Sequence, residues 1–205
     1  MAVSDFVKKY DNVVLGENVV IEEFSVIGKP PRGKKDGELR TVIGDGAVIR
    51  SGTVIYAGNI IGARFSTGHH VVIREENEIG DDVSVGTLSC IEHHIQIGDH
   101  VRFHSQVFIP EYTIIRDHAW IGPNVVVTNA RFPRSKEAKK NLKGAYIEAH
   151  AKIGANATIM PDISLGETCL VGAGSLVNHN VERGEVVAGN PARHLKMLKE
   201  LDAYR

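Results

Sequence analysis

Ten histidines in a chain of 205 residues are its side chains best suited to moving protons near neutral pH. His93 and His94 follow Glu92 directly, His104 is followed by Ser105 and Gln106, and His69 and His70 form a further pair. An imidazole in such a setting can take a proton from an amine or hydroxyl as that group attacks an electrophile. Cysteine chemistry is poorly supported: Cys90 and Cys169 form no disulfide framework and lack the paired spacing of a zinc site.

These histidines must be held by a scaffold, and the scaffold has a period of six. Counting in sixes from Ile43 to Val127 meets Ile, Val or Phe at every step except Thr67. The same count takes in Leu15, Ile21 and Ile27 before a first interruption, and Ile147, Ile153, Ile159, Leu165, Val171 and Val177 after a second. A small or aliphatic residue often stands two before each of these anchors, so each hexad reads as a short strand with two inward positions. Glycine often follows the anchor, as at Gly16, Gly62, Gly86 and Gly122, where a turn needing unusual backbone angles is expected. Three strands per coil predict an all-β parallel β-helix shaped as a triangular prism, in which each anchor stacks on the one eighteen residues later. The boundaries are a single domain over 1–205, the helix over 13–188, protruding loops at 28–41 and 129–146, and a C-terminal helix over 190–205. That last helix is expected from Pro191 and the spacing of Leu195, Leu198 and Leu201, and would cap the column.

The three faces differ outside. Face A carries anchors 43 to 115 in steps of eighteen, face B 49 to 121, and face C 55 to 127. The residue before each anchor points outward. On face C these are Val54, Val72, Cys90, Phe108 and Val126, an apolar stripe that calls for a partner. The edge between C and A collects Glu92-His93-His94, Pro110-Glu111-Tyr112 and Thr128-Asn129. The opposite edge of face C collects Gly68-His69-His70 and His104-Ser105-Gln106. If face C packs around a threefold axis, the two edges meet between subunits in a cleft lined by histidines.

Composition sets outer limits. With 42% hydrophobic and 24% charged residues the chain reads as one soluble domain. A net charge of −1 gives no global basic field for nucleic acid or an anionic membrane, so any anion must be gripped locally. No apolar run reaches membrane-spanning length and no leader is evident. A cytoplasmic location is expected.

The hexads V-I-G-D-G-A, E-I-G-D-D-V, Q-I-G-D-H-V and K-I-G-A-N-A resemble the hexapeptide-repeat acyltransferases over residues 13–193. The resemblance implies a left-handed coil, a homotrimer, and acetyl-CoA as acyl donor without a metal. The segment C-I-E-H-H-I-Q-I-G-D-H-V (90–101) is similar to that of the sialic-acid and bacillosamine acetyltransferases. It implies His93 as general base with Glu92 as its acidic partner, and His94 stands where that branch has aspartate. The segment W-I-G-P-N-V-V-V-T-N-A-R-F-P-R-S (120–135) resembles nucleotide-linked amino-sugar N-acetyltransferases, which implies that Asn129, Pro133, Arg134 and Ser135 build the acceptor site. That branch has an asparagine pair where this chain has Ser105-Gln106, beside His104, the second-ranked base. Glu111 and Gln106 complete the expected substrate contacts. V-G-A-G-S-L-V-N (171–178) and G-N-P-A-R (189–193) resemble the coenzyme segment, implying Gly172, Ala173, Gly174 and Pro191 along the pantetheine, with Arg193 and Lys196 on phosphates.

The expected activity is thus acetyl transfer to the amine of a nucleotide-linked amino sugar. Three alternatives stay open: O-acetylation of a sugar or other small alcohol, a metal enzyme like the γ-class carbonic anhydrases, and a non-catalytic scaffold. The O-acetyltransferases of maltose and xenobiotics place a histidine in the long loop, and 129–146 contains none. The carbonic anhydrase signature H-G-C is absent, and His94, His100 and His104 lack that family's spacing.

Overall fold

The computed structural model describes residues 2–204. Its strands, most of them two residues long, form three parallel sheets that close into a left-handed β-helix. Face A is the eight-stranded sheet, face B the eleven-stranded and face C the nine-stranded. The eighteen-residue register holds on each face: Ile79 pairs with Ile97, Val85 with Phe103, and Ile91 with Ile109. Both loops leave the anchors aligned, since Ile27 pairs with Ile55 and Ile115 with Ile147, with one local register shift between Ile27 and Lys29 as the first loop departs. The column starts earlier than residue 13, at Ala2–Val3 and Lys8–Lys9, which pair with Val20–Ile21 and Val26–Ile27.

Anchors and the residues two before them fill one continuous core. Thr67, the polar exception, is buried beside Thr53, with the two hydroxyls 3.2 Å apart, and it accepts the Arg50 N–H at 3.0 Å. Asn59 and Asn77 are buried too, and each side-chain oxygen accepts a backbone N–H from the next coil, those of Asn77 and Ile95. Polar groups inside the prism are therefore bonded, as burial demands.

Apart from Gly28, with φ 77°, the glycines after the anchors do not supply unusual backbone angles. Gly86, for example, has no positive φ, but a Cβ placed there would lie 2.4 Å from the His104 carbonyl carbon. Close approach of the next coil is what excludes a side chain. The left-handed backbone occurs two residues later, at the third position past the anchor, where non-glycine residues such as Asn18, Asp82, His94, Gln106, Tyr112 and His118 have φ between 55° and 66°. Asn, Asp and His are the residues that tolerate this region best.

Among the described residues the expected C-terminal helix is absent. After Glu185–Gly189 joins face B, the chain turns at Gly189-Asn190-Pro191 and returns as the antiparallel strand Ala192–Met197, followed by short 3-10 turns at Leu198–Glu200 and Asp202–Tyr204. The open edge of face B offers a row of unpaired backbone groups. Pairing with that row outweighs the helical spacing of the leucines, and Leu195 is left largely exposed.

Gly86→Ala is expected to lower stability by about 1–3 kcal/mol, the usual cost of forcing atoms into a packed interior. Gly174→Ala, with φ +70° and open space around it, is expected to cost about 1–2 kcal/mol from backbone conformation alone. Thermal unfolding of both variants, and of Gly86→Val, checks the ordering: Gly86→Val should be the worst of the three.

Candidate active site

The turns after anchors 73, 91, 109 and 127 place like-numbered positions above one another on the edge between faces C and A. At the first position past the anchor, Arg74 meets Glu92, with Nη1 3.4 Å from a carboxylate oxygen. The second position holds Glu75, His93, Glu111 and Asn129. His93 Nε2 lies 3.4 Å from Glu111 Oε1, and Asn129 Nδ2 donates to the other Glu111 oxygen at 2.6 Å. At the third, His94 Nε2 is 3.7 Å from Glu76, and Tyr112 packs edge-on against His93 with centroids 6.3 Å apart. The two histidines also meet, Nδ1 to Nδ1, at 2.8 Å.

This arrangement corrects the pairing expected for His93. Glu92 is engaged by Arg74 and by the Cys90 thiol, which donates at 3.7 Å. Glu111 is the carboxylate that faces the imidazole along the Nε2 direction. Burial and the adjacent Glu92 carboxylate push the Cys90 thiol up to about 11, so it is no nucleophile at neutral pH. Burial raises Glu75, but hydrogen bonds from Arg74 and the charges of Arg74 and His93 outweigh it and hold this carboxyl below its ordinary range. Arg74, Glu75 and Glu76 escaped the sequence reading, although counting eighteen back from Glu92, His93 and His94 finds all three.

Glu92, His93 and Glu111 each offer a ligand atom within 4.8 Å of the others, so their donor set could take a divalent ion. Arg74 Nη1, 3.4 Å from Glu92, competes with a metal ion for that carboxylate.

His104 stands on the opposite edge of face C. It packs edge-on against Trp120 at 4.7 Å and lines a polar cavity of about 230 Å³ with Arg102, Ser66 and Ser84. Burial, and then the charge of Arg102, depress its pKa. Gln106 is exposed at the next left-handed corner, with φ 62°. Within one chain, then, His93 and His104 do not share a site.

Arg134 and Ser135 are exposed on the long loop, whose base is tied by the Lys143 N–H to the Asn129 carbonyl at 3.0 Å. Gly172 and Ala173 line a larger cavity of about 480 Å³ on face B, with Trp120, Lys152, Leu170, His118, His150 and Tyr204. Gly174 is exposed just beyond them. Pro191 lies in the turn before the last strand, and Arg193 and Lys196 are exposed on that strand.

Residues 144–179 match the family model of the bacterial transferase hexapeptide, six repeats. A hexapeptide-repeat-containing acetyltransferase of Vibrio cholerae is 28% identical and superposes with a TM-score of 0.52, over 58% of this chain and 72% of that one. The matched repeats are therefore similar to those of the hexapeptide-repeat acyltransferases. A galactoside O-acetyltransferase of Lactococcus lactis is 29% identical over 43% of this chain and 44% of its own length. A 2,3,4,5-tetrahydropyridine-2,6-dicarboxylate N-acetyltransferase of Clostridium perfringens is 38% identical over 39% of this chain and 31% of its own. The chain thus spans less than half the length of these curated relatives. Among the described residues of this hexapeptide-repeat chain, no helix is long and apolar enough to cross a membrane.

Replacing Arg74 tests the electrostatics of the edge. Arg74→Ala is expected to cost about 2 kcal/mol at pH 7, because hydrogen bonds to charged groups are lost. The folded Glu75 pKa lies below its ordinary 4.5. Its contribution is therefore present above that pH and is lost as pH falls through the folded value. Urea unfolding of both proteins should show the difference shrinking below pH 4.5.

Proposed function

We propose that this chain is an acetyl-CoA-dependent acetyltransferase whose acceptor is an amine, with His93 as general base. The observation that carries this reading is the stack of Glu111 on His93, with Asn129 fixing the carboxylate. Glu111 accepts from the Nε2–H, which stays on the ring, and leaves the Nδ1 lone pair as the basic site. His94 meets that atom in this structure. Being exposed at a corner, it is the side chain that yields to the acceptor. After the bound ammonium loses one proton to solvent, the amine nitrogen attacks the thioester carbonyl carbon and its proton passes to His93 Nδ1. The carbon–sulfur bond breaks, and the departing coenzyme thiolate takes that proton from His93 to leave as the thiol. Four carboxylates, Glu75, Glu76, Glu92 and Glu111, surround the two imidazoles against the single guanidinium of Arg74. That excess of negative charge attracts an ammonium and favours an amine over a neutral alcohol. The resemblance of residues 120–135 to nucleotide-linked amino-sugar N-acetyltransferases supports such a sugar as the acceptor, with Asn129, Arg134 and Ser135 beside it.

The acyl donor fits the cavity on face B, where Gly172 and Ala173 let an extended arm lie close to the coil and Trp120 leads on to His104. Arg193 and Lys196 serve its phosphates. Bringing that slot to His93 takes a second copy, because the two lie on opposite sides of face C. The apolar stripe of Val54, Val72, Cys90, Phe108 and Val126 supports a homotrimer closed through this face. O-acetylation of a sugar is the second reading, favoured by the galactoside O-acetyltransferase relative. Hydroxylamine, which cleaves esters but spares amides, separates the two products.

His93→Ala should lower kcat by about 10²–10⁴ and leave the KM for acetyl-CoA nearly unchanged, with His104→Ala doing less. Retained turnover in His93→Ala with loss in His104→Ala would move the base to the other edge. Phe108→Asp should give smaller species by light scattering, and an unchanged mass would rule out face C as the interface. Arg193→Ala should raise the KM for acetyl-CoA more than that for the acceptor.

A further inference from the structure

The loop at 28–41 leaves the coil after Ile27, an anchor of face C, and therefore emerges on the same edge as His93, Glu111 and the loop at 129–146. It carries Lys29, Arg32, Lys34, Lys35 and Arg40 against only Asp36 and Glu38. The second loop carries six cations against Glu137 alone. With a net charge of −1 for the whole chain, the remaining surface is strongly acidic. Positive charge is thus concentrated in two loops that flank the carboxylates around His93.

The first loop is a built structure. Asp36 Oδ1 accepts the Asp11 N–H at 2.9 Å, Asn12 Nδ2 donates to the Gly37 carbonyl at 2.9 Å, and the Lys34 N–H donates to the Pro31 carbonyl at 3.0 Å. Pro31 is buried, and Gly33 and Gly37 take positive φ. The loop also touches the site. Lys29 lies over the Tyr56 ring at 5.4 Å and Arg74 lies over the same ring at 4.9 Å, and Arg74 in turn reaches Glu92. Lys34 is held protonated chiefly by Glu38, with a contribution from Glu76, the carboxylate beside His94. Among the described residues Arg32 and Lys35 are exposed and make no ion pair through their side chains.

From this arrangement we infer that the first loop is an anion subsite of the acceptor, in which Arg32 and Lys35 take a phosphate or diphosphate group. The inference rests on the acceptor being bound at His93, as proposed above. The alternation of cations and acids along the edge orients the acceptor: the carboxylates repel the phosphate and draw the amine, and the loop does the reverse. The face C anchor from which the loop springs lies three coils from that of His93, a span of ~14 Å at the usual strand spacing, and the loop folds back towards Glu76, one coil away.

Inorganic pyrophosphate is the probe, titrated calorimetrically into the intact protein with saturating coenzyme A present so that the donor slot is filled. Binding that survives coenzyme A, falls at least tenfold in the Arg32→Ala/Lys35→Ala double variant, and persists in His93→Ala is the expected result. Failure of wild-type protein to bind, displacement by coenzyme A, or equal affinity in the double variant would overturn the inference. So would a loss confined to Arg134→Ala, which would place the anion on the other loop. The readout involves no turnover, so failure of His93 as the base leaves this test standing. A circular dichroism spectrum and melting curve for the double variant guard against loss of the fold.

Discussion

Every coil hangs on hydrogen bonds to the next, strand N–H groups between the loops reaching a carbonyl seventeen residues further on, as from Val72 to Ser89 at 3.0 Å and from Glu92 to Ile109 at 2.9 Å. That constraint fixes the length of a coil, and with it which side chains become neighbours. Residues eighteen apart share a position and face one another across one strand spacing, whereas residues adjacent in sequence turn to different sides of the edge. The chemistry of this protein follows from that geometry. A carboxylate, an imidazole, a second carboxylate and an amide stand in one file because each is the second residue past its anchor. Arg74 and Glu92 form a separate file beside them.

The architecture was open to sequence reading because the repeat is set by the core: apolar anchors recur where the prism demands them, and Thr67 passes only because Thr53 supplies its partner. The edges were legible as places, and His93, Glu111 and Asn129 were all assigned to the same one. What could not be read was the partner of His93. Similarity to known acetyltransferases pointed to the adjacent Glu92, but the coil brings in Glu111 from eighteen residues away. The turn glycines were recognised and their reason was misread, since a sequence does not show how closely the next coil approaches. At the C-terminus the leucine spacing was real, but the hydrogen-bonding capacity of a sheet edge is a property of the assembled fold and cannot be seen in the segment itself.

The left-handed corners have a further bearing on the site. His94, Gln106 and Tyr112 all occupy them, so their side chains project from the angle of the prism with little surrounding structure. His93, one residue earlier, is half-buried and packed between coils. A packed imidazole beside exposed corner residues suits the proposed division of labour, since preorganisation matters for a group that takes a proton and exposure for those that meet a substrate.

The hairpin at Gly189-Asn190-Pro191 bears on more than the end of the chain. A column of identical parallel strands is a template onto which another such column could add indefinitely, as in a fibril. On face B the last strand runs the other way, so an incoming coil finds hydrogen-bonding groups in the wrong order. Towards the N-terminal end the outermost strand of face C carries exposed Lys8 and Lys9, and like charges meet if two such strands approach. On face B, then, the stacking rule that builds the column is reversed in its last strand.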